Sequence, residues 1–322
     1  MTRDKLVSMV TGDNERMIMN GPIFRPVWVC LAGMILAGCT PPAVGFAADT
    51  PTAETTVPSG DFDRRLASGS MDRSYLLHVP PNVRLGQSVP LVLVFHGMWE
   101  DGAYISLASG FNEVSDAHGF IVVYPNGTAA PGPLSWNAGG CCGYALLNRI
   151  DEPAFIREIL ADLDRLVTID PKRIYAAGFS NGAMLVYSLA CEMSGTFAAI
   201  APVAGILPSS LCQPRQPVSV IHIHGLNDVS VPYGGGGTNP STGSPFPSVT
   251  RGINAWVRLD GCPDSPQVEQ DGMVMHTSYA SCQNGTSVEL YVVRGLGHLW
   301  PPPYILPASR IIWNFFAAHP KP

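Results

Sequence analysis

The sequence predicts an α/β fold, a single domain built on a mainly parallel, doubly wound sheet. From residue 61 onward, short apolar runs bounded by turn residues alternate with amphipathic stretches, which is typical of strands alternating with helices. The apolar runs are nearly continuous, as strands covered on both faces require. With 46% hydrophobic residues in a chain of 322, one large core can be filled without a second domain.

The strands of this sheet are predicted where apolar runs lie between turn residues. They are Ser74–Val79, Leu91–Phe95, Phe120–Tyr124, Ile174–Ala177, Ala198–Val203, Val218–Ile223 and Val288–Val293. Helices are predicted over Pro153–Val167, Asn181–Met193, Val249–Leu259 and Ala308–Ala318. The first of these places its apolar residues on one stripe and has acidic residues at its start, as an amphipathic helix does.

Two long irregular segments, residues 125–149 and 229–248, interrupt the alternation. Loops of this length inside a compact domain are commonly binding or lid segments. Each directly follows a predicted strand, at the edge of the sheet where α/β folds bind their ligands. We therefore expect them to border a functional site.

The first sixty residues predict export. Arg25 precedes an apolar run, Val27–Ala37, which is too short to span a bilayer. The run ends at Leu36-Ala37-Gly38-Cys39, which resembles a bacterial lipobox and would make Cys39 the lipidated first residue. Cleavage near residues 46–48 is the alternative, and Met17 or Met19 could be the true start. We interpret residues 1–38 as leader and signal peptide, 39–60 as a linker and 61–322 as the folded domain.

The cysteine count agrees with an oxidising location. Removing Cys30 with the signal and Cys39 to lipid leaves six of the eight cysteines, an even number suited to disulfides. Cys262 and Cys282 bracket one polar excursion and are the expected pair. Cys141 and Cys142 are expected to pair with other cysteines, because a bridge between neighbours is strained. No CxxC or HxxxH spacing accompanies them, so no metal site is predicted.

Gly178-Phe179-Ser180-Asn181-Gly182 fits the pattern G-x-S-x-G. A predicted strand runs into it and a predicted helix leaves it, which is the strand–turn–helix context of a nucleophile elbow. The alternative is a plain glycine turn. We expect Ser180 to be a nucleophile, raised above the sheet at the positive end of the helix.

A serine nucleophile needs a base and an acid, which follow it in the chain in this type of fold. His298 lies in a glycine-flanked loop just after the last predicted strand, and Asp228 is the first carboxylate after Val218–Ile223. Asp260 and Asp264 are weaker candidates because they follow a helix. The backbone N–H groups of Asn181 and Met98 are expected to form the oxyanion hole, and His96 is expected to be structural.

These segments together resemble the polyhydroxybutyrate-depolymerase/feruloyl-esterase family, whose members are extracellular α/β-hydrolase esterases related to acetylxylan esterases. The resemblance covers residues 70–318 in collinear order. It is carried by FHG at 95–97, WNAGGCCG at 136–143, FIREILADL at 155–163, GFSNGAMLVYSLACE at 178–192, FAAIAPVAG at 197–205, HIHGLNDVSVPY at 222–233 and GLGHLWP at 295–301. It implies the same triad of Ser180, Asp228 and His298. Met98-Trp99 departs from the cysteine or glycine that some members have there, which implies a bulkier pocket wall.

The sequence thus predicts a secreted or lipid-anchored serine esterase with no cofactor. Its expected substrates are hydroxyalkanoate oligomers and feruloyl or acetyl esters, and because polymer-degrading members often carry a further binding domain, soluble or short esters are favoured. Trp136, Tyr233 and Trp300 are expected to line the pocket, with core packing as the alternative. A net charge of −6 and 14% charged residues disfavour nucleic-acid binding, and membrane contact is expected only through the anchor. A peptidase of the same fold and a non-catalytic envelope binding protein are the alternatives.

Overall fold

The computed structural model describes residues 57–84, 86–129, 132–208 and 212–322. Cys39, the predicted signal peptide and all but the last residues of the predicted linker lie outside these ranges. Within them, no helix is long and apolar enough to cross a membrane.

In the described part of the chain, ten strands form one sheet in the order β1-β2-β4-β3-β5-β6-β7-β10-β9-β8. The strands are β1 (Gly60–Ser68), β2 (Met71–Val79), β3 (Ser88–Phe95), β4 (Ile121–Pro125), β5 (Thr168–Phe179), β6 (Ala199–Val203), β7 (Ser219–Gly225), β8 (Gln267–Asp271), β9 (Val274–Tyr279) and β10 (Val288–Val293). The six central strands from β4 to β10 are parallel, and the outer strands pair antiparallel at both edges. This is the mainly parallel sheet that the sequence predicted.

Helices cover both faces of the sheet. They are α1 (Gly102–Ser109), α2 (Phe111–His118), α3 (Gly143–Leu147), α4 (Glu152–Leu163), α5 (Asn181–Glu192), α6 (Val249–Leu259) and α7 (Ala308–Ala318). Side chains of β3 alternate between two cores: Leu91 and Leu93 pack with α4, α5 and α6, whereas Val92 and Val94 pack with α1, α2 and α7. The period of two along the strand thus builds the double winding.

Side-chain caps fix where several of these helices begin. The Asp101 carboxylate accepts the Tyr104 N–H at the start of α1, and Asp151 accepts the Ala154 N–H at the start of α4. The Ser248 hydroxyl accepts the Arg251 N–H at the start of α6. Each cap satisfies a backbone donor that has no partner inside the helix. The predicted irregular segment 125–149 contains the short helix α3, whereas 229–248 has no regular element apart from an isolated bridge.

Candidate active site

Ser180 occupies the turn between β5 and α5, with φ 53° and ψ −115°. A positive φ is unfavourable for a residue with a side chain, and such conformations persist only where the surrounding structure enforces them. Here the Ser180 N–H donates to the Val203 carbonyl of β6 at 2.9 Å, and α5 continues directly from Asn181. The turn lifts the hydroxyl to the carboxyl edge of the sheet.

The two glycines of the motif allow backbones to meet at this turn. A Cβ at Gly178 would collide with the Gly182 carbonyl, and one at Gly182 would collide with the Phe95 carbonyl at the end of β3. The motif therefore needs glycine at both positions for packing, because β3, β5 and α5 touch there through their main chains.

A continuous hydrogen-bonded chain joins Ser180, His298 and Asp228. His298 Nε2 lies 2.9 Å from Ser180 Oγ, and His298 Nδ1 lies 2.7 Å from Asp228 Oδ2. Asp228 is 4% exposed, and the Phe179 ring packs against the His298 ring with 4.9 Å between centroids. The residues that the sequence singled out as nucleophile, base and acid thus meet at one edge of the sheet.

Backbone donors orient the Asp228 carboxylate. Its Oδ1 accepts the N–H groups of Ser230 and Val231 at 2.9 and 2.8 Å, which leaves Oδ2 for His298. Burial alone would raise the pKa of Asp228, but the hydrogen bonds from His298 and from the Val231 N–H outweigh it and hold the pKa below its ordinary value. The carboxylate is therefore ionised, and it accepts the Nδ1–H of His298.

The loop that carries His298 is bound to the loop that carries Asp228. The Asn227 N–H donates to the Leu296 carbonyl at 3.0 Å, and the Gly295 N–H donates to the Asn227 side chain at 2.9 Å. A Cβ at Gly225 would collide with the Leu296 and Gly297 carbonyls. These contacts set the spacing between acid and base, although the two residues come from different strands.

Two backbone N–H groups beside Ser180 have no hydrogen-bond acceptor among the described residues: those of Met98 and Asn181. The Met98 loop is held on either side, because the Gly97 N–H donates to Glu100 at 2.8 Å and the Trp99 N–H donates to the Leu134 carbonyl at 3.1 Å. The Asn181 side chain bonds the main chain of Trp136 in both directions. The loops are thus fixed while both N–H groups are left for a ligand.

His96 holds this loop and is not placed as a base. Its Nδ1–H donates to the Gly97 carbonyl at 2.6 Å, and its Nε2 accepts the Gly127 N–H at 3.0 Å. Burial lowers the pKa of His96 to about 4, so the ring is neutral with both nitrogens engaged. This agrees with the structural role expected from the sequence.

The expectation that Trp136 and Trp300 line the pocket is wrong. Trp136 is fully buried and donates its Nε1–H to the His96 carbonyl, and Trp300 is 6% exposed and donates to the Ser309 hydroxyl. Both are core residues, because a position near the site does not fix the direction of a side chain. Tyr233 is half-buried beside His224, and its role as a pocket residue stays a prediction.

Three exposed apolar side chains directly follow residues of the site, and of these the sequence singled out only Trp99. Trp99, Val229 and Leu299 are 75%, 87% and 42% exposed, and each directly follows a predicted site residue: Met98, Asp228 and His298.

The cysteines form three pairs in the described part of the chain: Cys191–Cys212, Cys262–Cys282 and Cys141–Cys142. The pairing of Cys262 with Cys282 agrees with the expectation. The expectation that Cys141 and Cys142 bond elsewhere is wrong, because these two pair with each other and the other four pair among themselves. No group of three or more His, Cys, Asp or Glu side chains able to hold a metal ion occurs among the described residues.

Residues 73–221 match the family model described as esterase PHB depolymerase. Feruloyl esterase B of Piromyces equi is 28% identical over 239 residues, which are 70% of this chain and 42% of that protein. The putative esterase NocK of Nocardia uniformis subsp. tsuyamanensis is 29% identical over 269 residues, 78% of this chain and 76% of that protein. The chain therefore spans less than half of the feruloyl esterase but three quarters of NocK.

The fold matches that of an acetyl xylan esterase from Aspergillus awamori, with a TM-score of 0.59 at 16% identity over 80% of this chain and 99% of that one. Together with the doubly wound sheet, this confirms the predicted α/β-hydrolase fold. The family match bears out the resemblance read from the motifs, and it includes Ser180 but ends before Asp228 and His298.

Proposed function

Because the chain is a polyhydroxybutyrate-depolymerase/feruloyl-esterase-like protein of the α/β-hydrolase fold, we propose that it is a serine esterase acting through an acyl-serine intermediate. The observation that carries the proposal is the chain of short hydrogen bonds from Asp228 through His298 to Ser180. It stands beside two backbone N–H groups without an acceptor among the described residues, those of Met98 and Asn181. Nucleophile, base, acid and oxyanion donors are the catalytic groups that a serine hydrolase uses for acyl transfer.

Asp228 sets the tautomer on which the first step depends. Since its carboxylate accepts the His298 Nδ1–H, the ring's Nε2 is free to accept the Ser180 hydroxyl proton. Ser180 Oγ then bonds to the ester carbonyl carbon as its proton moves to Nε2. Asp228 stabilises the imidazolium that forms, without itself taking the proton.

The Met98 and Asn181 N–H groups stabilise the tetrahedral oxyanion. The carbon–oxygen bond to the alcohol breaks as His298 returns its proton to the departing oxygen, leaving the acyl group on Ser180. Water then attacks the acyl carbon while giving a proton to His298, which hands it to Ser180 Oγ as the acid leaves. Water is the only co-reactant, so these steps conserve atoms and charge without a cofactor.

The exposed side chains of Trp99, Val229 and Leu299 favour esters that carry an apolar acyl or alcohol group. We propose hydroxyalkanoate oligomers, feruloyl esters and acetyl esters as the substrate classes. The names of the relatives, a feruloyl esterase and an acetyl xylan esterase, support the last two. Tyr233, half-buried near the acid loop, would contribute to the same pocket.

We further propose that the protein works outside the cytoplasm or in the cell envelope, anchored by lipid at Cys39. Disulfides persist in oxidising compartments, and the described residues hold three pairs. A lipid anchor predicts that the wild-type chain incorporates radiolabelled palmitate and fractionates with membranes, whereas Cys39→Ala does neither. Free secretion of the wild-type chain would contradict the anchor.

The function is tested with a panel of p-nitrophenyl acetate, methyl ferulate, acetylated xylan and a hydroxybutyrate trimer, with a peptide substrate alongside. Ser180→Ala is expected to lower kcat by about 10⁶-fold, because the nucleophile is removed. Ser188→Ala is the matched control: it lies on the same helix, and its hydroxyl bonds only main-chain carbonyls. Full turnover by Ser180→Ala would contradict the assignment. Cleavage of the peptide alone would support the peptidase alternative. If no substrate were turned over, the result would support the binding-protein alternative.

A further inference from the structure

Three buried polar side chains that the proposed mechanism does not use lie behind Asp228. Tyr187 belongs to α5, and His222 and His224 belong to β7; each is 1% exposed. Burying polar groups in a core is costly unless they are hydrogen-bonded. Each of these side chains therefore needs hydrogen-bond partners inside the core.

The three side chains form one line of contacts. Tyr187 Oη lies 2.8 Å from His222 Nδ1, and His222 Nε2 lies 3.1 Å from His224 Nδ1. His224 Nε2 lies 2.9 Å from the Val231 carbonyl and 3.5 Å from Asp228 Oδ2. The line thus ends on the carboxylate oxygen that holds His298.

The partners at each end fix the direction of every hydrogen bond. Both neighbours of His224 Nε2 are acceptors, so this nitrogen carries the proton. Burial lowers the pKa of His224 and of His222, so both rings are neutral and each Nδ1 must accept. His222 Nε2–H therefore donates to His224, and the Tyr187 hydroxyl donates to His222. The hydrogen bonds thus run from Tyr187 through His222 to His224, whose Nε2–H donates to the Val231 carbonyl and lies 3.5 Å from Asp228 Oδ2.

We propose that Tyr187, His222 and His224 form a positioning relay that holds the orientation and charge of Asp228 for His298. The proposal rests on the esterase function proposed above. The relay starts on α5, the helix that Ser180 begins, roughly two turns beyond the serine. It therefore connects the nucleophile's helix to the acid by a second route, independent of His298. Aligned donors polarise one another in a low-dielectric core, so the effect of Tyr187 reaches Asp228.

Charged and titratable groups around the triad influence how kcat/KM depends on pH. Asp228 is faced by His298 and His224, with backbone N–H groups on its other oxygen. His298 is faced by Asp228 and Ser180, and the Glu100 carboxylate acts on it through its charge. Removing the positive end of the His224 N–H dipole makes protonated His298 more favourable. The acidic limb of kcat/KM should then move to higher pH.

Two variants interrupt the relay at its two ends. His224→Leu removes the donor next to Asp228, and Tyr187→Phe removes the hydroxyl at the far end while keeping the ring. His224→Gln retains both an acceptor and an N–H donor and is the conservative variant. Tyr124→Phe is the matched control, since Tyr124 is also buried but its hydroxyl bonds Asn112, away from the triad.

We expect kcat on p-nitrophenyl acetate to fall about tenfold in His224→Leu and a few-fold in Tyr187→Phe, with KM within twofold of wild type. The acidic limb should move to higher pH in both variants. His224→Gln should recover most of the rate, and Tyr124→Phe should match wild type even where its thermal midpoint falls. In proton NMR spectra, the downfield Nδ1–H resonance of His298 should shift in the two relay variants and stay in the control.

The relay is contradicted if Tyr187→Phe shows the rate, pH profile and Nδ1–H resonance of Tyr124→Phe. It is also contradicted if His224→Gln is as impaired as His224→Leu. The NMR readout needs no turnover, so the relay is judged even if Ser180→Ala reveals that the esterase proposal fails. A chain with Ser180-dependent turnover but an unmoved resonance would overturn the relay alone.

Discussion

His298 Nδ1 and Asp228 Oδ2 lie 2.7 Å apart, although 70 residues separate them in the chain. The other oxygen of Asp228 is held by two backbone N–H groups, so the carboxylate has only one way to face the ring. Because the two oxygens have different partners, a substitution at Asp228 changes which nitrogen of His298 carries the proton.

Asp228→Asn should lower kcat by about 10⁴-fold without unfolding the chain. The backbone donors will keep the amide oxygen, so the NH₂ group faces His298 and donates to Nδ1. The ring must then carry its proton on Nε2, where it cannot accept the proton of Ser180. Steady-state kinetics on p-nitrophenyl acetate measure the loss. Asp264→Asn, at an exposed carboxylate, is the control that should retain wild-type rates, and equal rates in the two variants would contradict the role of Asp228.

Met98→Pro should lower kcat by roughly 10²–10³-fold, because proline has no N–H to offer the oxyanion. Met98→Ala keeps the N–H and should retain most of the activity, since the backbone supplies the contact and the half-buried side chain does not. Melting curves of both variants establish that the fold is intact. If Met98→Ala loses as much activity as Met98→Pro, the side chain and not the amide is what matters.

Asp260→Asn should remove a pH dependence of stability. Asp260 is fully buried, with one oxygen near the Val218 N–H and the other without a partner among the described residues. Burial raises its pKa from 3.8 to about 7. The folded state therefore holds a proton that the unfolded state releases, and this group's contribution to stability falls as pH rises between those values.

Thermal midpoints measured between pH 5 and pH 8 check this prediction. The stability of Asp260→Asn relative to wild type should rise from pH 5 to pH 8, by a few kcal/mol at most in free energy of unfolding. Asp264→Asn should follow the wild-type curve throughout. If the thermal midpoints of Asp260→Asn and wild type fell in parallel as pH rises, this would contradict a raised pKa of Asp260.

Replacing Cys262 and Cys282 by alanine should lower the free energy of unfolding by about 3 kcal/mol. The pair is separated by 20 positions, and closing a loop of that length removes roughly this much conformational entropy from the unfolded chain. Denaturant unfolding measures the change against the oxidised wild-type chain. A variant as stable as the oxidised wild type would mean that this disulfide contributes nothing to the fold.

The central sheet and the three residues of the candidate site were predictable because each has a local signature. The strands that lie inside the sheet are apolar on both faces, and Ser180, Asp228 and His298 each follow the end of one of them. The edge strands escaped prediction: β8 is exposed along its whole length and β9 is half-exposed. Strands that bury no face carry no periodic apolar signal.

The direction of side chains and the pairing of neighbouring cysteines were not predictable from local sequence. Trp136 lies near Ser180 in space, yet its ring packs against Phe95 inside the core, while Trp99 faces solvent from a residue with φ 77°. Both outcomes depend on the backbone path of a loop, which tertiary packing decides. The pairing of Cys141 with Cys142 likewise has no signal in the spacing of the cysteines along the chain.

Labelling with a fluorophosphonate followed by peptide mapping tests most directly whether Ser180 is an activated nucleophile. If Ser180 is activated, each wild-type chain should carry one phosphonyl group, on the peptide that contains Ser180, whereas Ser180→Ala and urea-unfolded wild type should carry none. Ser188→Ala should be labelled like wild type. A folded wild-type chain that stays unlabelled, or one labelled at another serine, would contradict the central claim.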